Sequence, residues 1–329
     1  MKLSGLKPGV SIRPSEIPPR LSAASRPRFW GGGVKNMDEK CKNYIRLEEE
    51  YSSFKKSKVA IMQVPYDKTT SYIHGTARGP AAIIDASRYM ELFDDELNQE
   101  TYKIGIHTTE PLEVEKLSSE EMIEKVRAST AELLKSNKFP VLLGGEHSVS
   151  IGAVKAFKDA YPNISVLHLD AHSDLRNEYF GSKFNHGCVA RRISEICPIV
   201  QVGTRSMSKE EKDFLSAQAN GKVKAVNVYD ILDNPMWKDL VSNSLTENVY
   251  ITIDLDVFDI SLVPSVGTPE PGGIGWYETL DLLKEVSKDK RIVGFDVVEL
   301  CPIQGQVASD FMAAKLIYRL LGYVFTNKR

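Results

Sequence analysis

The sequence predicts a three-layer α/β/α fold around a mainly parallel sheet of eight strands. Eight short runs of β-branched and apolar residues alternate with segments of helical length, as is typical of parallel sheets with helices on both faces. Hydrophobic residues make up 42% and charged residues 26% of the 329 residues, which is the composition of a globular protein. Because no internal repeat or low-complexity tract interrupts the alternation, we expect a single α/β domain.

The predicted elements follow one another from about residue 58. The strands are short apolar runs such as "KVAIMQV" and "NVYITID", and they cover residues 58–64, 102–107, 139–144, 164–170, 198–204, 223–229, 248–254 and 291–298. The helices cover residues 80–90, 118–136, 148–160, 188–196, 208–219, 276–288 and 306–322. Most consecutive strands are therefore joined by a helix, as parallel pairing requires.

The first 36 residues differ from the rest of the chain. They contain five prolines, three consecutive glycines, seven basic residues and one acidic residue, without apolar periodicity. We expect residues 1–36 to be a disordered or non-native extension, with Met37 as a possible true start, although the composition also resembles a targeting segment. The α/β domain is then predicted to cover residues 37–329.

Charge and cysteine content limit the possible partners and location. The formal net charge is −2, and the chain beyond residue 36 is acidic, which argues against a nucleic-acid partner and fits a small cationic substrate. No apolar stretch approaches the roughly 20 residues of a membrane span, so no membrane association is expected. Four cysteines lie far apart and are interpreted as reduced thiols, which favours a cytoplasmic protein.

A dense row of imidazoles and carboxylates lies in "LHLDAHSDLR", residues 167–176. His168, Asp170, His172 and Asp174 alternate, and alternate side chains of an extended chain point to the same side. His168 lies within the predicted strand and is interpreted as a core or supporting residue. The other three follow the strand, where they could bind a metal ion.

Further ligand-type residues follow other predicted strands. His147 comes after the third strand, Asp254 and Asp256 end the seventh, and Glu299 ends the eighth. Any one of them could be a helix cap or a turn residue. Parallel strands deliver their carboxyl ends to one edge of a sheet, so the combination predicts a shared site at that edge.

The ligand types indicate the kind of metal. Buried carboxylates placed side by side repel one another unless cations neutralise them, and two divalent ions would do so. Carboxylates and imidazoles without thiolates suit Mn²⁺, with Mg²⁺, Fe²⁺, Co²⁺ and Ni²⁺ as alternatives. Two such ions can acidify a shared water, so the sequence predicts a hydrolytic centre.

Several motifs together resemble the ureohydrolase family of arginases and agmatinases, and agmatinases most. The resemblance covers about residues 58–325 and lies in "PYDKTTSYIHGTARGPAAI", "GGEHS", "DAHSDLR", "NHG", "TIDLDVFD", "GTPEPGG" and "GFDVVEL". It implies an arginase-like fold, two Mn²⁺ per subunit (with Ni²⁺ or Co²⁺ as alternatives) and hydrolysis of a guanidino group to urea and an amine. It also implies a homo-trimer or homo-hexamer.

The resemblance also implies residue roles. One ion would be held by His147, Asp170, Asp174 and Asp254, and the other by Asp170, His172, Asp254 and Asp256. Asp174 would also guide a proton to the leaving nitrogen, His186 would shuttle protons, and Glu299 would bind the guanidinium. For the substrate's far end, the candidates are Glu270 in "TPEPGG" and Asn177 in the loop 175–185.

Agmatine, hydrolysed to putrescine and urea in polyamine biosynthesis, is the expected substrate. Glu270 would attract its terminal ammonium and repel the carboxylate of arginine. Arginine or another guanidino compound such as guanidinobutyrate remains an alternative. A catalytically idle regulatory relative is a third, disfavoured because every motif residue for metal binding and chemistry is present.

Overall fold

Eight strands form one sheet in the computed structural model, which describes residues 43–218 and 221–326. They are β1 (Val59–Val64), β2 (Ile106–Thr108), β3 (Phe139–Gly144), β4 (Ile164–Leu169), β5 (Ile199–Val202), β6 (Val223–Val226), β7 (Asn248–Asp254) and β8 (Arg291–Val298). Their order across the sheet is β2-β1-β3-β8-β7-β4-β5-β6, and every ladder is parallel. The predicted fold class is confirmed.

Helices connect the strands within the described residues. They are α1 (Glu49–Ser52), α2 (Gly79–Ser87), α3 (Ser119–Lys135), α4 (Val149–Ala160), α5 (Val189–Ile196), α6 (Lys209–Ala217), α7 (Val228–Asp233), α8 (Trp237–Ser244), α9 (Trp276–Asp289) and α10 (Ala308–Thr326). Short 3-10 helices at Tyr44–Arg46, Thr76–Arg78, Thr101–Ile104, His186–Cys188 and Leu255–Val257 complete the chain path. No helix of the described chain is both long and apolar enough to cross a membrane.

Two apolar clusters lie on opposite faces of the sheet. One packs the sheet against α2, α8, α9 and α10, and the other packs it against α3, α4 and α5. On β7, Ile251 and Ile253 belong to the first cluster and Tyr250 to the second, as the alternation of a strand requires. Both faces are buried, and this explains why the strands are continuous apolar runs.

Two predicted strands differ from the structure, and α1, α7 and α8 form where no helix was predicted. The predicted strand 102–107 begins as the 3-10 helix Thr101–Ile104, and only Ile106–Thr108 pairs with β1. The predicted strand 223–229 stops at Val226, because the Asn227 side chain accepts hydrogen bonds from the backbone N–H groups of Tyr229 and Asp230 and starts α7. The predicted extension 1–36 lies outside the described residues, so the domain boundary stays a prediction.

Strand order brings the candidate ligands together. The four strands that precede them, β3, β8, β7 and β4, are consecutive neighbours in the middle of the sheet. Because all four run in the same direction, their carboxyl ends open at one edge. The candidate site lies there.

Candidate metal centre and active site

His147, which follows β3, faces three carboxylates. Its Nδ1 lies 3.0 Å from Asp170 Oδ2, 3.2 Å from Asp254 Oδ2 and 3.6 Å from Asp174 Oδ2. All four side chains are buried. This first group contains the four residues that the sequence predicts around one ion.

A second group shares Asp170 with the first. His172 Nδ1 lies 2.9 Å from Asp256 Oδ2 and 3.7 Å from Asp170 Oδ1. Asp254 adjoins this group as well, since its Oδ1 accepts a hydrogen bond from Asp256 N at 2.9 Å. The six predicted ligands therefore form one continuous cluster, with ligand atoms of Asp170, His172 and Asp256 within 4.8 Å of one another.

The cluster fits a cation. His147 Nδ1 and Asp170 Oδ2 are buried and have no hydrogen-bond partner. Burial, and then the charge of neighbouring carboxylates, raises the pKa values of Asp174 and Asp254 well above their ordinary range. A divalent metal ion would bind the two unpartnered ligand atoms, and its charge would offset the repulsion between the carboxylates. The residues present therefore fit the implied metal pair.

His168 lies beside the cluster. Its ring is fully buried and stacks on His147 with centroids 4.9 Å apart, and its Nε2 lies 3.2 Å from Asp170 Oδ2. Burial lowers the pKa of His168 to about 3, so the ring is neutral at physiological pH. This placement agrees with its interpretation as a supporting residue.

Thr252 and Asp296 fix the orientation of His147. His147 Nε2 lies 2.9 Å from Thr252 Oγ1, which donates a hydrogen bond to Asp296 Oδ1 at 2.6 Å. Since the threonine proton goes to the carboxylate, Thr252 accepts from His147 Nε2–H, and Nδ1 is left unprotonated. The sequence did not single out Thr252 or Asp296, which lie within strands β7 and β8.

Replacing Thr252 by valine is expected to weaken metal binding by about 10- to 100-fold without unfolding the protein. The valine keeps the shape but no longer accepts the proton of His147 Nε2, so the imidazole loses its preferred tautomer. Titration with Mn²⁺, followed by calorimetry, measures the change. Thr279→Val is the matched control, because Thr279 is a buried threonine of α9 that bonds only to Gly275 O. Equal Mn²⁺ affinity in Thr252→Val and wild type would contradict this role.

Asp174 has an unusual backbone. Its φ of 49° lies in the left-handed region, which costs free energy for a residue other than glycine. Buried Glu211 holds the flanking residues, since its Oε1 accepts from Ser173 Oγ at 2.6 Å and Leu175 N at 2.9 Å. Glu211 was not among the residues predicted from the sequence. The sequence does show a capping box of Ser208 and Glu211 at the start of α6, but this motif involves only Oε2 of Glu211, which accepts from Ser208 N.

Glu299 also has a left-handed backbone, with φ 65°. Its Oε1 accepts a hydrogen bond from His147 N at 2.7 Å, whereas Oε2 accepts none from the residues that the structure describes. Burial, and then the nearby charge of Glu146, raises the pKa of Glu299 well above its ordinary range. A cation bound at this carboxylate would favour its ionised form.

A cavity of about 250 Å³ opens onto the cluster. Its lining includes His147, His172, Asp174, Arg176, Tyr179, His186, Glu211, Asp254 and Glu299. His186 is half-buried with Nε2 3.2 Å from Ser71 Oγ, and burial lowers its pKa to about 4. The structure thus brings the three candidate catalytic residues, Asp174, His186 and Glu299, to one cavity.

Glu270 and Asn177 are not among the residues that line this cavity. Glu270 Oε1 lies 3.7 Å from His172 Nε2, and Arg205 holds its loop by donating to the carbonyl oxygens of Glu270 and Asp256. Asn177 Oδ1 accepts from Arg192 Nη2 at 3.1 Å. The substrate-binding roles of Glu270 and Asn177 stay predictions.

Comparisons with known proteins agree with this geometry. The Arginase family model matches residues 57–322. The N(1)-aminopropylagmatine ureohydrolase of Synechocystis sp. is 36% identical over 292 residues, which are 85% of this chain and 94% of the relative. The agmatinase of Pyrococcus horikoshii is 38% identical over 268 residues, covering 80% of this chain and 90% of the relative.

A solved structure shows the same fold. The agmatine ureohydrolase of Thermoplasma volcanium superposes with a TM-score of 0.76 and 29% identity, covering 84% of this chain and 92% of that one. The resemblance predicted from the motifs is confirmed. With most of its length matched by the family model and by relatives above 30% identity, the chain belongs to the arginase family and is a ureohydrolase.

Proposed function

We propose that the protein hydrolyses the guanidino group of agmatine, or of its N(1)-aminopropyl derivative, to urea and an amine. The single observation that carries this proposal is one cavity, which is lined by Glu299, by His186 and by four members of the six-residue cluster, His147, His172, Asp174 and Asp254. Relatives named agmatinase and N(1)-aminopropylagmatine ureohydrolase support both substrates. The amine product would place the enzyme in polyamine biosynthesis.

Glu299 is suited to hold the guanidinium. Its Oε1 is fixed by His147 N, and a Cβ built on Gly267 would lie 3.7 Å from its Oε2. Gly267 therefore places no side chain against this oxygen. A carboxylate that accepts N–H bonds from a guanidinium forms a short, charge-assisted contact.

Asp174 and His186 are the residues that would transfer protons. Water adds to the guanidinium carbon, the bond from that carbon to the alkyl nitrogen breaks, and this nitrogen must gain a proton to leave as an amine. A pair of divalent ions held by the six-residue cluster, with Mn²⁺ preferred, would lower the pKa of the attacking water. Asp174 lies at the cluster and the cavity, and His186, neutral at physiological pH, can take up and release a proton at the cavity wall.

Arg176 favours a second candidate substrate. It lines the cavity, stacks on Tyr179 and keeps its Nε 4.0 Å from Glu211 Oε2. A guanidinium at the cavity wall could bind a substrate carboxylate, as in guanidinobutyrate or arginine. Since Glu211 already lies near this charge, we expect the carboxylate-bearing compounds to be the poorer substrates.

A substrate panel tests the proposal. With Mn²⁺ or Ni²⁺ added, urea release is measured for agmatine, N(1)-aminopropylagmatine, arginine and guanidinobutyrate. Agmatine or its aminopropyl derivative is expected to exceed arginine in kcat/KM by tens- to hundreds-fold, about the value of one charge contact near a surface. Faster release from arginine or guanidinobutyrate would move the assignment to that compound. Release from none would refute the proposed function.

A further inference from the structure

Glu146 is a buried carboxylate that the proposed reaction does not use. It precedes His147 in "GGEHS", and its side chain has no solvent exposure. It accepts hydrogen bonds from Thr69 N at 2.6 Å, Thr69 Oγ1 at 2.5 Å and Ser148 Oγ at 2.5 Å. A buried acid with three donors aimed at it holds those donors in place.

Thr69 connects Glu146 to His186. Thr69 Oγ1 donates its one proton to Glu146 Oε1, and it accepts a hydrogen bond from His186 N at 3.0 Å. The donors and acceptors in this series of hydrogen bonds are fixed. The backbone N–H of His186 can only donate, and the Thr69 hydroxyl, which donates its proton to Glu146, accepts that N–H with a lone pair. A buried carboxylate thus determines where the main chain of His186 lies.

The loop that carries Thr69 also contacts the ring of His186. Ser71 Oγ lies 3.2 Å from His186 Nε2, and Asn185 Nδ2 donates to Thr69 O at 3.5 Å. Glu146 anchors this loop, since it binds both the N–H and the hydroxyl of Thr69. Moving the loop would therefore shift the ring and the main chain of His186 together.

A purely structural role for Glu146 would be to cap α4, which begins at Val149. Its backbone oxygen does accept from Val149 N at 3.5 Å. The carboxylate, however, makes two of its three bonds to Thr69, which lies 77 residues earlier in the chain. The carboxylate of Glu146 therefore stabilises the loop at the cavity wall more than it stabilises the start of α4.

We propose that Glu146 is a positioning residue for His186 and acts through Thr69. The inference rests on the proposed function, in which His186 transfers a proton. Glu146 itself does not touch the substrate. It holds the imidazole at the distance and angle from the leaving nitrogen that proton transfer needs.

The test is a double-mutant cycle on the full chain loaded with Mn²⁺. Glu146→Gln and Thr69→Val are each expected to lower kcat about 10- to 100-fold with KM little changed, the effect of leaving a buried hydrogen-bonding group without its partner. Thr69→Ser keeps the hydroxyl and is expected to restore activity. In a His186→Ala background, Glu146→Gln should lower kcat no further, because the residue it positions is absent.

Glu211→Gln is the matched control. Glu211 is also a buried carboxylate at this cavity, but it holds the residues flanking Asp174 rather than His186. Glu211→Gln is expected to lower kcat by the same factor in wild type and in the His186→Ala background. Metal content and melting temperature are measured for every variant, and Thr69→Val provides the test if Glu146→Gln does not fold.

A second readout does not depend on activity. In ¹⁵N-histidine-labelled protein with diamagnetic Mg²⁺, the ring resonances of His186, assigned with His186→Ala, should shift in Glu146→Gln and Thr69→Val and stay in place in Glu211→Gln. Unshifted resonances, or a Glu146→Gln effect of equal size with and without His186, would overturn the inference. Absence of urea release from wild type would refute the proposed function alone, and the resonances would still decide the role of Glu146.

Discussion

Replacing Asp254 by asparagine is expected to abolish the stabilisation by Mn²⁺ while leaving the metal-free protein at least as stable as wild type. Asp254 Oδ2 lies 3.2 Å from His147 Nδ1, and Asp254 Oδ1 accepts a hydrogen bond from Asp256 N. Asparagine keeps that acceptor and removes the charge. The variant therefore loses a predicted shared ligand without losing its place in the fold.

The direction of the stability change in the metal-free Asp254→Asn variant follows from the pKa of Asp254. Burial, followed by the charges of Asp256, Asp170 and Glu299, raises this pKa well above 3.8. The folded protein then binds the proton more tightly than the unfolded chain, so ionisation above the unfolded pKa lowers the free energy of unfolding. At neutral pH, asparagine removes this penalty, and the melting temperature of the metal-free variant should equal or exceed that of wild type.

Melting curves with and without Mn²⁺ measure both effects. Mn²⁺ at about 100 times its Kd adds about 2.7 kcal/mol to the stability of wild type, a rise of several degrees, and nothing to a variant that cannot bind it. Asp259→Asn is the control, since Asp259 follows the same strand and its side chain accepts hydrogen bonds only from Ser261 within the described chain. A full Mn²⁺-dependent rise in Asp254→Asn would rule out this residue as a metal ligand.

Replacing Glu299 by glutamine is expected to lower kcat/KM by about 10²–10³-fold, since losing one partner of a buried charge pair costs about 3–4 kcal/mol. The glutamine oxygen can still accept from His147 N, as Oε1 of Glu299 does. Its amide nitrogen then takes the place of Oε2 and points a donor at the N–H donors of the guanidinium. The substrate loses an attraction and meets a repulsion at the same point.

Metal binding separates this effect from damage to the metal centre. Glu299 is not one of the six predicted ligands, so Glu299→Gln should keep the Mn²⁺ content of wild type, measured by elemental analysis. Glu178→Gln, an exposed residue of the neighbouring loop that does not line the cavity, is the control and should keep wild-type kcat/KM. Activity within a few-fold of wild type in Glu299→Gln would exclude a direct contact with the guanidinium.

Local patterns in the sequence were sufficient for the fold class and for the identity of the cluster. The strands are continuous apolar runs because both faces of the sheet are buried, and this pattern is visible without the structure. Alternation placed Asp170, His172 and Asp174 on one side of the chain, and the pair Asp254 and Asp256 repeated the spacing. These are properties of neighbouring residues, so the sequence alone determined them.

Short elements near polar side chains were harder to predict. Asn227 ended β6 by capping α7, and the segment after it had been predicted as strand because its apolar residues fit either structure. Glu211 carried a recognisable capping box, but its second oxygen serves Ser173 and Leu175, which are far away in sequence. A local signal cannot show a second, distant use of the same carboxylate.

The sequence by itself determined which residues are candidates for metal binding and reaction, whereas the tertiary structure decided how they are held. Strand order made β3, β8, β7 and β4 neighbours, and only this order brings His147 within 3.2 Å of Asp254. The side chains of Thr252 and Glu146 form hydrogen bonds to residues that lie 105 and 77 positions away in the chain, respectively. Such contacts arise from the packing of whole elements, and no spacing along the sequence encodes them.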